Sequence, residues 1–513
     1  MLKKFLFLLC LLSSSAFAAY NPSFFSDSNL DAFARLRCSE PVTVFDCQYQ
    51  YSDQPLFWQT FQPVSTGSQG TETWLANESS ISLAAGANTT SVARQTYRYF
   101  RYQPGKSQLV IMTGVLDSGV ACAAGVVKRL GYYDAQNGIF FQMNGTTLQV
   151  GQRSYTSGAA VDTLVSQASW NIDKMNGTGP SGLTINPALS QIFIIDLQWL
   201  GMGRVRMGIN VNGVNYYCHE FYWANLGSNT TVYMQTANLP LRCEVINTSG
   251  GTANYTLKQT CSTVTTEGGY STDLGPTYAA ATASAGVSVG TSITPIISLR
   301  LSHVYGGNGT SYTISAVSAN GPPAVVTIST PLTAAQLAAY VGAPVTITGA
   351  TGDTAINGTW VVGASSTTTS IYLTGATGSG SYNANSGSAV FSNVNRAALI
   401  PLSYAFLCGS NPALISLVFR PTLSGATFAV NPGGAGQVDL AATSMSGGTL
   451  IDCYWVSNNG GQKVPLDAMT NTILQLARAY TGTAGDQDIL TIAGTATTGT
   501  STINAGITWR ENY

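Results

Sequence analysis

The feature that most constrains this chain is a two-residue alternation of large apolar or aromatic side chains with polar ones, interrupted by Asn-Gly pairs. It runs from Arg94 to Gln142 and again from Asp196 to Phe221. A period of two sends successive side chains to opposite faces of a strand. Asn and Gly tolerate the positive φ that a two-residue hairpin turn demands. Asn137-Gly138, Asn144-Gly145 and Asn212-Gly213 therefore predict tight turns, and GIFFQMNGTTLQVGQR and GRVRMGINVNGVNYYCHEF each read as a hairpin. Several hairpins without helical periodicity between them argue for an all-β fold. The expected form is an antiparallel β-sandwich, a jelly roll of the lectin or laminin-G kind.

A chain of 513 residues is too long for one ordinary core. Charged residues make up only 9% and hydrophobic ones 44%, the opposite of a disordered composition. The first eighteen residues read as an export signal: Lys3 and Lys4, an apolar run from Phe5 to Leu12, then Ala16-Phe17-Ala18. That run is too short to span a bilayer, and no other segment predicts a transmembrane anchor. Without Lys3 and Lys4 the 22 basic residues become 20 against 23 acidic ones. Such a balance cannot neutralise a phosphate backbone, so nucleic acid is not an expected partner.

Of nine cysteines, Cys10 lies in the signal, which leaves an even number behind it. That count suggests disulfides, with Cys38–Cys47 and Cys243–Cys261 as the pairings that close the shortest loops, although sequence fixes neither. No CxxC occurs, so a zinc ribbon or a thioredoxin-type motif is not expected.

The chain divides into a signal (1–18), an N-terminal arm with opening strands (19–93) and a sandwich core (94–261). A linker with strands (262–323), a small inserted β-rich module (324–392) and a C-terminal β domain with one helix (393–513) follow. Ser28 is placed to cap a short early helix. Pro331 and Thr333 would start a short helix over Leu337 and Ala338 in the module. Met469, Ile473, Leu476 and Ala477 stand at helical spacing near the C-terminus.

RYFRYQPGKSQ, RLGYYDAQNGIFF, SQASWNIDKMNGTGPSG, IDLQWLGMGRVRMG and YCHEF, with the closing TWRENY, resemble a group of virion structural proteins of tailed phages and giant viruses. The resemblance covers roughly Gln54 to Val245, with a weaker part after Val394. It implies a β-rich virion component of a capsid, tail or fibre, assembled with copies of itself or other virion proteins, and brings no established chemistry. GDTAINGTW and TSIYLTGATGSG resemble a small module of phage structural proteins. An export signal and many cysteines depart from that pattern. They suit a virus assembling through a eukaryotic secretory route, or a cellular copy of a viral gene, and sequons such as Asn77, Asn88, Asn144, Asn176, Asn229, Asn247 and Asn254 would then be open to glycans.

No catalytic, metal or cofactor cluster stands out. His219 and His303 are the only histidines, and a strand histidine beside Glu220 points away from its neighbour. Asp173, Asp196 and Glu220 are the carboxylates a glycosidase could use; Asp196, inside IFIIDLQW, is better matched to Arg204 or Arg206 on the next strand. GKS at 105–107 lacks the upstream glycine and the helix of a P-loop. The candidate ligand-binding residues are Tyr97, Tyr99, Arg101, Tyr102 and Lys106, a basic-aromatic strand suited to an acidic glycan or a neighbouring subunit. Trp170, Trp199 and Trp223 read as core, one of them available as a sugar platform. The expectation is a non-enzymatic virion structural protein with possible host-glycan attachment; the alternatives are a secreted lectin-like adhesin and a glycan-cleaving spike.

Overall fold

The computed structural model describes residues 40–512 apart from 303–310, 467–487 and short breaks elsewhere. The signal, Ser28, Cys38, His303, Asn88 and the predicted C-terminal helix lie outside the described residues. What is described is almost wholly antiparallel β structure around three separate cores.

The N-terminal sandwich spans Pro41 to Glu267, so the strands expected to form an arm belong to the sandwich. One sheet runs Val214–Phe221, Val205–Val211, Gln191–Leu197, Ser107–Gly119, Tyr255–Glu267, Ser80–Ala85, Thr71–Leu75, with Pro41–Gln48 also paired to Tyr255–Glu267. The facing sheet runs Val161–Ser166, Thr147–Ser154, Gly138–Asn144, Val126–Tyr133, Leu241–Asn247, Thr90–Thr96, Trp58–Phe61. Alternation decides what meets between them. Val110, Met112, Phe193, Ile195 and Leu197 point inward from the first sheet, and Leu130, Tyr132, Ile139 and Phe141 from the second. The Phe141 and Phe193 rings lie 5.0 Å apart across that seam. Full burial of each such side chain contributes about 1.5–3 kcal/mol.

A second sandwich is built from chain on both sides of an insertion. Its five-stranded sheet is Thr277–Ala281, Ser501–Asn512, Ala398–Cys408, Gly461–Pro465, with Val287–Val289 paired to Ser501–Asn512. Its six-stranded sheet is Ala429–Val430, Gly436–Asp439, Thr294–Leu301, Ile489–Ala496, Ala413–Phe419, Thr449–Val456. The stretch expected to hold linker and strands, 262–323, supplies three strands of this domain. Between Leu301 and Ala398 sits a closed six-stranded barrel of Ser311–Val317, Ala324–Ile328, Pro344–Thr348, Gly358–Val362, Ser370–Thr374 and Gly387–Phe391. It opens at Ser311, before the expected start at 324. Its helix, Ala334–Tyr340, carries a capping box in which the Thr333 hydroxyl accepts the Gln336 N–H while the Gln336 side chain accepts the Thr333 N–H.

The Asn-Gly pairs do three different things. Asn212 and Gly213, at φ 53° and 83°, form the expected two-residue turn. At the second pair the turn is shifted by one: Asn144 pairs with Thr147, leaving Gly145 and Thr146 as the turn residues. Asn137 ends a four-residue connection closed by the Asp134 carboxylate, which accepts the Gln136 and Asn137 N–H groups.

The proposed Cys243–Cys261 disulfide is not formed. Cys243 is buried on one sheet, Cys261 is exposed on the other, and both are free thiols. Cys47 is also a free, buried thiol, its sulfur accepting the Trp58 indole N–H at 3.2 Å. The cause is the strand parity that short loop length ignored: Cys243 faces the core, whereas Cys261 faces outward.

Two arginines of the second sandwich grip the first. Arg420, at φ 52°, bonds Asp488 at 2.6 Å and donates to the Pro55 and Leu56 carbonyls at 3.1 and 3.3 Å, with its guanidinium 4.0 Å from the Tyr97 ring centre. Arg396 bonds Asp134 at 2.7 Å and lies 5.9 Å from the Tyr99 ring centre. Arg420→Ala is expected to loosen this seam by ~1–3 kcal/mol. In a thermal melt followed by domain-resolved hydrogen exchange, the two sandwiches should then open at separated temperatures.

Candidate functional site

The outer face of the first sheet carries a polar cleft, and the register explains its composition. Leu109, Asp196, Arg206 and Glu220 are consecutive partners across four strands. Because Phe193, Ile195 and Leu197 turn inward, Asp196 must turn outward. Arg206 donates through Nε to Asp196 Oδ2 at 2.9 Å and through Nη2 to the same oxygen, and the Tyr217 hydroxyl donates to it at 3.3 Å. All three contacts fall on one oxygen, leaving Oδ1 without a protein donor. The guanidinium of Arg206 lies 4.4 Å from the Tyr217 ring centre. Burial pushes the Tyr217 hydroxyl above the usual tyrosine value, and the charge of Asp196 adds to this. Burial works against the charged form of Arg206, but the hydrogen bond and charge of Asp196 outweigh it and raise its pKa.

The opposite wall comes from the turn before Ser107 and the end of the Tyr255–Glu267 strand. Lys106 Nζ donates to Gln103 Oε1 at 2.9 Å and to the Gly269 carbonyl at 2.8 Å. The Ser107 hydroxyl donates to Glu267. Tyr102 accepts the Trp199 N–H at 3.2 Å and meets the Trp199 ring edge-on, which fixes the 198–204 loop. In that loop Gly203 is obligatory, since a Cβ there would sit 2.3 Å from the Gln198 carbonyl oxygen. Leu200 forms the lip. It is 54% exposed and held at φ 39°, a region costly for a branched side chain and one that gathers at functional sites.

The cleft encloses about 570 Å³, and its lining includes Tyr102, Lys106, Asp196, Gln198, Arg204 and Arg206, closed by Glu267 and Gly268. Five of its eleven lining residues are charged, in a chain that is 9% charged throughout.

The five residues singled out in the sequence part company here. Tyr102 and Lys106 line the cleft. Tyr97 and Tyr99 stack under Arg420 and Arg396 in the domain seam, and Arg101 donates to the Leu274 carbonyl at 3.3 Å. The basic-aromatic run is therefore a strand end and a domain contact, not one exposed platform. Glu220 pairs with Arg204 at 3.4 Å. Asp173 staples its own loop by accepting the Met175 and Ser181 N–H groups at 2.8 and 2.9 Å. His219 accepts the Asn171 N–H, and burial lowers its pKa to about 4. Trp170 is core, and Trp223 stacks face to face on Tyr233 at 3.7 Å. Tyr217, Gln198, Leu200 and Glu267 were missed. The parity of Tyr217 is hidden by a register shift between Met207 and Gly208, and Leu200 reads as an ordinary loop leucine.

The facing sheet holds a second charged group. Glu244, 1% exposed, receives Arg129 at 2.9 Å and Arg242 at 2.6 Å, while Asp162 holds Arg153 at 2.7 Å. From Arg129 a relay crosses the sheet through Gln142, Gln149 and Ser166. Burial alone would raise the Glu244 carboxyl; Arg242, Arg129 and Arg153 reverse this and pull it down to about 2. Each ion here has a counter-ion, so the cluster reads as structural.

Among the described residues no group of three or more metal-ligating side chains gathers, and no helix is long and apolar enough to cross a membrane. No protein-family model and no curated protein matches the chain. Solved structures with some likeness include an endo-1,3-beta-glucanase from Streptomyces sioyaensis, at 12% identity over 45% of this chain and 99% of that one, TM-score 0.31. The CBM2 module of the Lactobacillus casei BL23 phage J-1 evolved Dit gives 6% identity over 46% of this chain and all of that one, TM-score 0.29. A legume lectin-like domain from Entamoeba histolytica gives 11% over 44% and 97%, TM-score 0.27. At such values nothing about function passes to this chain.

Proposed function

We propose that this chain is a non-catalytic glycan-binding structural protein, built into a virion and presenting the cleft between Tyr102 and Arg206 to sugar. The observation that carries the glycan reading is the cleft itself. Its polar groups are fixed before any ligand arrives: Asp196 by Arg206 and Tyr217, Lys106 by Gln103 and Gly269, Tyr102 by Trp199. Preorganised donors and acceptors avoid the ordering cost of binding a hydroxyl-rich ligand. The strained Leu200 at the lip adds an apolar edge for a sugar face.

The non-catalytic reading follows from what the carboxylates do. A glycosidase needs one carboxyl to donate a proton to the leaving oxygen. Asp196, Glu220 and Glu267 instead engage Arg206, Arg204 and the Ser107 hydroxyl. The virion role, export and assembly with copies of itself or other virion proteins rest on the sequence resemblance and the leader-like N-terminus.

A glycan microarray tests the reading. The wild-type protein should bind at least one glycan class, and Arg206→Ala should weaken that signal about tenfold, some 1.4 kcal/mol. Binding to no glycan would end it.

A further inference from the structure

The charged groups of the cleft bear on the kind of sugar it could take. Its lining holds three cations, Lys106, Arg204 and Arg206, against two carboxylates, Asp196 and Glu267. What matters is which of these already have strong partners. Asp196 receives three donors on one oxygen, and Glu267 receives the Ser107 hydroxyl. Arg206 gives two of its five N–H donors to Asp196 and is 33% exposed. Arg204 is less committed still. Its side chain is 49% exposed, and its ion pair with Glu220 is a single long contact of 3.4 Å. Lys106 has three ammonium donors and uses two inside the fold. Asp196 Oδ1 and the second Glu267 oxygen also remain open, but they can only accept from sugar hydroxyls; the capacity left to meet a charged group is that of Lys106, Arg204 and the remaining N–H groups of Arg206.

We infer that the cleft takes an anionic sugar, one bearing carboxylate or sulfate, with Arg204 and Lys106 as the residues that select it. This rests on the glycan reading above and narrows it. A guanidinium presents a planar fork that matches either anion, while the ammonium acts as a point charge beside it. Glu220 competes with the ligand for Arg204, which makes it a brake on affinity.

The test measures binding of a polyuronate, dextran sulfate and neutral dextran to the full chain by isothermal titration. The anionic polymers should bind at least about tenfold more tightly than dextran, and the preference should shrink as salt rises from about 50 to about 500 mM. Which anionic polymer binds better separates carboxylate from sulfate recognition. Arg204→Gln and Lys106→Gln should each weaken binding several-fold, Arg204→Lys should recover only the part that charge alone supplies, and Glu220→Gln should strengthen it. A strengthening variant is a readout that damage to the fold cannot imitate. Equal binding of dextran, lost in Arg206→Ala, would overturn the anionic preference and leave the glycan reading standing. Anionic binding unchanged in Arg204→Gln and Lys106→Gln would also overturn it. Binding to none of the three polymers, together with a blank glycan array, would overturn both.

Discussion

Replacing Glu244 by alanine is expected to cost about 3–5 kcal/mol, because it strips the counter-ion from buried guanidinium groups. Glu244 is 1% exposed, Arg242 is 4% and Arg129 13% exposed in the same cluster, so water can do little to replace the lost charge. The same group sets an acid limit on the wild-type protein. Its folded pKa, about 2, lies below the ordinary 4.5, so its contribution is complete above pH 4.5 and is lost as pH falls towards 2. The interval corresponds to roughly 3 kcal/mol. Urea titrations at pH 7, 4.5, 3.5 and 2.5 check this. Wild-type stability should drop steeply over the last two steps, and Glu244→Ala should be both weaker at pH 7 and flatter across the series.

Trp509→Ala should cost a comparable ~3–5 kcal/mol, in a different domain. Trp509 is fully buried in the second sandwich, lies 6.1 Å from the Tyr278 ring centre, and donates its indole N–H to Glu511 at 3.0 Å. Glu511 in turn accepts the backbone N–H groups of Ala435 and Gly436 at 2.5 and 2.9 Å, so the indole steadies the carboxylate that ties down that turn. Hydrogen exchange should show faster opening across 398–408 and 489–512. Protection in 107–119 and 191–197 should change little, since those strands belong to a separate core.

The all-β class was legible because alternation is a local signal. The Asn212-Gly213 turn, the Asp196–Arg206 pairing and the Thr333 helix start all depend on residues close in sequence or on adjacent strands. The second sandwich was not legible. Its strands Thr294–Leu301 and Ile489–Ala496 are partners separated by the barrel and most of the C-terminal half, and no local pattern announces such pairing. The same limit split the predicted binding strand. Tyr97 and Lys106 are nine positions apart, yet Tyr97 meets Arg420 while Lys106 meets Gly269. The cleft escaped because its walls come from strands near Ser107, Asp196 and Glu267, and only the fold brings those together.

Whether sugar occupies that hollow is settled most directly by a crystal structure grown with a binding oligosaccharide. The prediction is ordered saccharide density between Tyr102 and Arg206, within hydrogen-bond distance of Arg204 and Asp196. Saccharide seated instead on another face, with this groove holding only solvent, would contradict it.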